Sequence, residues 1–288
     1  MIKVVRYLAV CTIFAASSLI ASAQTFTTID FPGAAVTVLL GGPDPQGTSV
    51  GAYVDSSGTT HGFTVDSHGA FTSFDPPGSA LTTPNFISPG GVIVGAYNDA
   101  TGVSHGFVLS NGQYRTLDFP GAAGTTLTGI SPSGEISGFS CSDPGCNNTT
   151  NHSFVVSASG TFTGFNPPGA VYSQASTVTP LGAVVGAYFD SRGIRHGYSL
   201  YQGKFSTTDF PDATFTFNGG ANPEGQIVGA YRKADNVLHS FLLSGGVFTT
   251  VDPPGSTLSD ATGINPGGII VGLYRDSAGV THGFIRTP

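Results

Sequence analysis

The chain has 288 residues, of which only 9% are charged, with 10 basic against 17 acidic side chains. An acidic surface repels phosphate backbones and anionic lipid, which argues against nucleic acid and membrane surfaces as partners. The 42 glycines and 19 prolines argue against a helical protein and for short strands joined by tight turns, because both residues destabilise helix interiors.

Residues 1–23 read as a secretory signal peptide. Lys3 and Arg6 precede an apolar run from Tyr7 to Ile20, and Ala21-Ser22-Ala23 supplies a small-residue cleavage site. The run is shorter than the roughly 20 residues a membrane span needs, and no later segment is apolar enough to insert. The chain from Gln24 onward is therefore expected to be exported and soluble, in the periplasm or the medium. Cys11 leaves with the peptide. Cys141 and Cys146 remain, and in an exported protein that pair is expected to form a disulfide. A metal site there would need two further ligands and only His152 is near in sequence, so neither metal nor cofactor is expected.

The phrase VGAYVDSSGTTHGF at Val50–Phe63 returns, slightly altered, at Val94–Phe107, Val185–Tyr198, Val228–Phe241 and Val271–Phe284, with a lengthened copy at Ser137–Phe154. The repeating unit is about 43 residues. In chain order, each unit holds four strand-length segments. The first is typified by Phe26-Thr-Thr-Ile-Asp30 and the second by Thr262-Gly-Ile264. The third carries Ile-Val-Gly-Ala-Tyr, and the fourth begins at a histidine, as in His105-Gly-Phe-Val-Leu109. Helical periodicity is absent after the signal segment. Between second and third segments stand turns such as Asp44-Pro-Gln-Gly47, Ser88-Pro-Gly-Gly91 and Asn265-Pro-Gly-Gly268, with the chemistry of a type I turn. Asp55-Ser-Ser-Gly58 and its relatives join third to fourth, and turns such as Asn111-Gly112 lead on to the next unit. The connection after Asp-Phe-Pro or Asp-Pro-Pro is looser.

Three tight reversals in succession make a four-stranded antiparallel meander. Six of them in tandem predict an all-β fold, a six-bladed β-propeller of four-stranded blades, as a single domain over residues 24–288. If the loose connection is the step between blades, Thr25–Phe31 is an orphan outer strand and His282–Arg286 ends a blade that lacks one. The N-terminal strand is therefore expected to pair into the last blade and close the ring. An open solenoid has no use for such a split. The residue after each connection Asp or Asn alternates through Phe31, Pro76, Phe119, Pro167, Phe210 and Pro253, which points to a duplicated pair of blades.

The pairing of a Gly-x-Ile-Val-Gly strand with a His-small-Phe strand resembles the extracellular repeat family named for its His-Ala-Phe tripeptide, the HAF-type repeats, over essentially all of residues 25–288. Here the tripeptide is His-Gly-Phe at 61–63, 105–107 and 282–284, His-Gly-Tyr at 196–198, and His-Ser-Phe at 152–154 and 239–241. The likeness is thus to the repeat pattern. It implies an exported bacterial repeat protein with no settled activity, and so supplies no catalytic residues.

His61, His105, His152, His196, His239 and His282 hold one repeat position on the third strand of each blade, too far apart in a propeller to share one ion. Each imidazole is expected to bond a backbone carbonyl or the connection residue at its own end of the blade: Asp30, Asp75, Asp118, Asn166, Asp209 or Asp252. A buried ring without a partner would be costly. The Asp-Ser-x-Gly turns lack the alternating carboxylates of a calcium loop, and Lys233 occupies one of those positions. Glu135 and Glu224, the only glutamates, sit in type I turns, and no nucleophile elbow or phosphate loop is present. The inner strands are expected to line the channel with Leu, Ile, Thr, Gly and Asn, which are weak ligands.

The expected function is that of an exported, non-catalytic binding or scaffold module, with a polysaccharide or another extracellular protein as partner. The alternative is a secreted propeller hydrolase or lyase with a loop-built site. Recognition is expected on the face that carries the Asp-Pro-Pro-Gly connections and the long Cys141–Asn151 loop, with Asp143, Asn147, Asn148 and Tyr172 as contacts.

Overall fold

The computed structural model describes residues 24–146 and 151–288. Residues 1–23, with the expected signal peptide, lie outside that range, as do Asn147 and Asn148.

The alternating segments form 24 strands, and the described residues include no helix. They build six antiparallel blades. From the channel outward, blade 1 is Val36–Gly41, Ser49–Val54, Thr60–Val65 and Phe71–Phe74. The inner strands of blades 2 to 6 are Ser79–Ile87, Gly124–Ile130, Tyr172–Val178, Phe215–Ala221 and Leu258–Ile264. Blade 6 takes its outer strand from the other end of the chain. Thr25–Ile29 lies antiparallel to Thr281–Thr287, with Thr25 opposite Thr287 and Ile29 opposite Gly283. The ring closes as the split unit required.

The Pro-bearing turns close with the expected bond, from Gly47 N–H to Asp44 O at 2.9 Å through to Gly268 N–H and Asn265 O at 3.0 Å. The first residue also caps the turn: Asp44 Oδ1 accepts from the Gln46 and Thr48 N–H groups, both at 2.9 Å. Each inner strand then slips register by one residue, leaving Leu40, Asn85, Thr128, Ser176, Gly219 or Thr262 outside the ladder. Such a bulge re-aims one side chain. Three of these side chains latch neighbouring blades together. Asn85 Nδ2 donates to Leu127 O at 2.8 Å, Thr128 Oγ1 to Ala175 O at 2.8 Å and Thr262 Oγ1 to Leu39 O at 2.9 Å. The accepting carbonyls stand on the channel edge of their sheets, where no further strand can pair them.

The core lies between blades. Phe63, Phe107, Phe154, Tyr198, Phe241 and Phe284, the aromatic of each His-x-Phe copy, are at most 1% exposed. Full burial of each is worth about 1.5–3 kcal/mol. A tyrosine in that position needs a partner for its hydroxyl. Ser153 Oγ of blade 3 supplies it at 3.1 Å, and Ser153 stands where the His-Gly-Phe copies have glycine. Burial pushes the Tyr198 hydroxyl pKa up. The Phe/Pro alternation is also an alternation of hydrogen bonds. The N–H groups of Phe31, Phe119 and Phe210 donate to Thr37, Thr125 and Thr216 Oγ1 at 2.9, 2.9 and 3.1 Å. Proline has no N–H, and in blades 4 and 6 Ser173 and Ser259 donate instead to the side chains of Asn166 and Asp252.

Cys141 and Cys146 are joined by a disulfide. The loop it closes is short, so its stabilisation falls below the roughly 3 kcal/mol of a 15-residue loop. The Cys141→Ser, Cys146→Ser double variant is expected to stay folded, with a melting temperature a few degrees lower by calorimetry. Loss of the whole fold would show instead that this loop holds the ring together.

Candidate functional site

The third-strand histidines meet the connection residues as expected. Nδ1 lies 2.7 Å from Asp75 in His61, 2.8 Å from Asp118 in His105 and 2.8 Å from Asp209 in His196. It lies 2.7 Å from Asp252 in His239 and 2.7 Å from Asp30 in His282. His152 pairs with the Asn166 side-chain amide at 2.9 Å. The His282–Asp30 pair spans the ring closure.

The structure adds a second set of partners. Nε2 of the same five histidines other than His152 faces a turn carboxylate: Asp55 at 3.4 Å, Asp99 at 3.6 Å, Asp190 at 3.6 Å, Asp235 at 3.7 Å and Asp276 at 3.4 Å. The constant offset from turn Asp to His in blades 1, 2, 4 and 6 was the available signal. Tyr53, Tyr97, Tyr188, Tyr231 and Tyr274 stack on these imidazoles at 5.1–5.3 Å. Blade 3 has Ser140 at the tyrosine position and the disulfide loop in place of the turn, so the tyrosine stack is missing there among the described residues. Each clamp thus ties strand, turn and connection together at one end of a blade.

The clamps set a pH dependence. The Asp75 hydrogen bond raises the His61 pKa above 6.5. For His282 burial works downward, but the Asp30 and Asp276 contacts outweigh it and the net shift is upward. The folded state holds these protons more tightly, so the stabilisation is full below 6.5 and is lost as the pH climbs through the folded values. Asp55 and Asp99 are held at about 2, chiefly by the Ser57 and Thr101 hydroxyls, and Asp190 at about 2 by the Ile194 N–H. Their stabilisation is present above 3.8 and is lost as the pH falls towards 2. The melting temperature is expected to peak near about pH 5 and to be a few degrees lower near about pH 8. The His61→Gln, His282→Gln double variant should shrink that difference. A parent protein that melts higher at the alkaline pH would contradict the assignment.

The long loop does not stand free. Pro144 O accepts from Ser104 N–H of blade 2 at 2.9 Å, and Asn151 O from Ser173 N–H of blade 4 at 2.8 Å. A Cβ on Gly124 would stand 2.8 Å from both Cys146 Sγ and Pro144 O, so the loop lies against the inner strand of its own blade. Asp143 belongs to this docked segment, its carbonyl accepting from Cys146 N–H at 3.3 Å. Tyr172 opens the inner strand of blade 4 and stacks on Phe189 at 4.4 Å. Asp143 and Tyr172 thus fall in adjacent blades, while Asn147 and Asn148 lie outside the described residues.

The expectation that the inner strands offer only weak ligands is corrected. Gln174 and Asp260 hold the register position that is Val38, Thr83, Thr126 and Phe217 in the other blades. Both line a cavity of about 200 Å³ to which all six blades contribute. Arg195, where other copies have Thr60, Ser104 or Thr281, donates through Nη2 to Gln174 Oε1 at 2.8 Å. Its guanidinium lies over Phe189, Phe215 and Phe217 at 5.2, 5.1 and 4.5 Å, and that of Arg232 over Phe215 at 5.0 Å. Burial pushes the Asp260 carboxyl up to about 6, although Arg195 and Arg232 pull the other way. Burial likewise brings Arg195 down to about 10. Next to it the six turn prolines, Pro45, Pro89, Pro132, Pro180, Pro223 and Pro266, rim a second cavity of about 280 Å³, with Phe86 lining both.

No protein-family model and no curated protein matches the chain. Solved structures do resemble it. AofleA from Arthrobotrys oligospora is 11% identical with a TM-score of 0.58, over 91% of this chain and 86% of that one. The Aleuria aurantia lectin, described as a six-bladed β-propeller with a novel fucose recognition mode, is 12% identical with a TM-score of 0.54, over 90% and 93% of the two chains. A putative TolB from Agrobacterium tumefaciens is 14% identical with a TM-score of 0.54, over 78% and 82%. Likeness at such low identity speaks to architecture alone. The architecture is that of a six-bladed β-propeller.

Proposed function

We propose that this protein is an exported, non-catalytic propeller that binds carbohydrate on the face carrying the disulfide loop. The observation that carries this reading is the tethering of one irregular loop, through Pro144 and Asn151, to rigid strands beside Tyr172. Recognition is commonly built from a variable segment on a fixed scaffold. An aromatic ring next to polar loop groups suits a sugar, which offers an apolar face and a rim of hydroxyls. The Aleuria aurantia lectin among the structural neighbours favours carbohydrate over a protein partner. The disulfide favours an oxidising compartment, periplasm or medium, in keeping with the HAF-type resemblance. Five of the repeat histidines are held between two carboxylates each, which supports reading them as part of the scaffold.

The test is a binding screen of the chain from Gln24 onward against a panel of polysaccharides, with a variant in which residues 141–151 are replaced by Asp-Ser-Ser-Gly. At least one polysaccharide should bind, and the folded variant should bind it about tenfold more weakly or worse. Unchanged affinity would move the site away from the loop. Failure of every polysaccharide to bind would remove the carbohydrate reading.

A further inference from the structure

We infer that the channel cavity beside Asp260 is a subsite for one neutral, hydroxyl-rich sugar unit, an inference that rests on the carbohydrate reading above. Asp260 is the only charged residue in the six inner-strand segments, which otherwise repeat apolar and small polar side chains. A propeller needs no carboxylate there, since the other five blades close without one.

The group is held in an unusual way. Its Oδ1 is out of contact with solvent and has no hydrogen-bond partner, and the same holds for Arg195 Nε and Arg232 Nε. Leaving such atoms unpaired is destabilising. The two guanidinium groups are fixed by stacking on Phe189, Phe215 and Phe217, and Arg195 also by Gln174, so aromatic walls and not direct ion pairing set their places. Asp260 as a whole is only part-buried and lines the cavity, so the carboxyl's other oxygen, and not Oδ1, is the acceptor that a donor-rich ligand can use.

Charge then selects the ligand class. Two arginines offset the one carboxyl, so a cation entering the cavity gains little from it. An anion meets the Asp260 carboxylate at the cavity wall, which no guanidinium lines. A neutral molecule with several hydroxyls is free of both drawbacks. Phe86, Phe139 and Phe217 offer flat apolar walls, while Thr128 and Ser176 add hydroxyls. A sugar ring has the matching two faces. Tyr172 and Phe215 head the strands that carry Gln174 and Phe217, so aromatic side chains begin the inner strands on the side of the proposed binding face.

The experiment uses titration calorimetry with free monosaccharides: L-fucose, D-galactose and D-glucose as neutral probes, D-glucuronate as the anion and D-glucosamine as the cation. At least one neutral sugar should bind, with the charged sugars weaker by about tenfold. Asp260→Asn should weaken the neutral sugar by about tenfold or more, as expected on losing a charged hydrogen bond. Ser176→Phe, which fills the cavity without touching Asp260, should abolish binding. Because the second variant leaves the carboxyl in place, a folding failure of the first does not end the test. Undiminished affinity in the folded variants would overturn the subsite while leaving the carbohydrate reading intact. Polysaccharide binding without any monosaccharide binding would show a channel filled by water only. Failure of both ligand sets would remove both proposals.

Discussion

A chain from which residues 24–31 are deleted is expected to be insoluble, or to melt about 10 °C or more below the full domain. The segment supplies the entire outer strand of blade 6, paired over five residues with Thr281–Thr287. Its side chains join two core clusters. Phe26 packs against the buried Phe284 and its neighbours, while Ile29 and Phe31 pack around Leu39 and Phe63. Phe31 also stacks flat on Tyr53 at 3.7 Å. Three part-buried apolar side chains, each worth up to about 1.5–3 kcal/mol, approach the whole stability of an ordinary domain, about 5–15 kcal/mol. The deletion also removes Asp30 from His282 and bares the edge of Thr281–Thr287, an open template for aggregation. A synthetic peptide of residues 24–31 should pair back onto that edge and raise the melting temperature of any soluble fraction. If the deleted chain melts like the full domain, the closure contributes nothing and the ring is held by its other blades alone.

The fold was legible because its cues are local and repeated. Turn residues recur at fixed offsets, so one type I turn read correctly at Asp44–Gly47 is read six times. The split unit at the chain ends predicted the pairing of Thr25–Ile29 with Thr281–Thr287 without any contact being known. The histidine clamps were half legible. Asp75 and its equivalents were foreseen, whereas the turn carboxylates such as Asp55 were given only to the turn that they also cap.

What the sequence hid depends on closure of the ring. A bulge at Leu40 or Thr128 adds a residue to a strand and leaves no composition cue. Asp260 looks like any polar residue in a short strand until six inner strands enclose it. The contact of Pro144 with Ser104 joins segments far apart in sequence, across a blade boundary that the repeat pattern does not describe. Repetition therefore reports the scaffold, and the departures from it, in blades 3, 4 and 6, report where the scaffold has been adapted.

The glycine of the recurring Val-Gly-Ala-Tyr phrase gives the sharpest single-residue prediction. Gly51, Gly95, Gly138, Gly186, Gly229 and Gly272 lie on the second strand of each blade, opposite the bulged stretch of the inner strand. A Cβ on any of them would stand 1.9–2.4 Å from an inner-strand carbonyl oxygen. At Gly229 the obstacle is Phe217 O at 1.9 Å, which is backbone and cannot swing aside. No positive φ is involved at these six positions, so the requirement is for space and not for a left-handed backbone. Gly229→Ala must therefore push the inner strand of blade 5 towards the channel or break the ladder between the two strands. The expected cost is about 3 kcal/mol or more, roughly 6–12 °C in melting temperature for a domain of this size. Gly102→Ala is the matched comparison. Gly102 has a φ of 86° and open space around its missing Cβ, so only the left-handed backbone opposes alanine there, at about 1–2 kcal/mol. Calorimetry of the two variants should rank Gly229→Ala clearly the worse. Equal melting temperatures would mean that the inner strand yields freely, and that the glycine marks a conformational preference instead of the contact with Phe217.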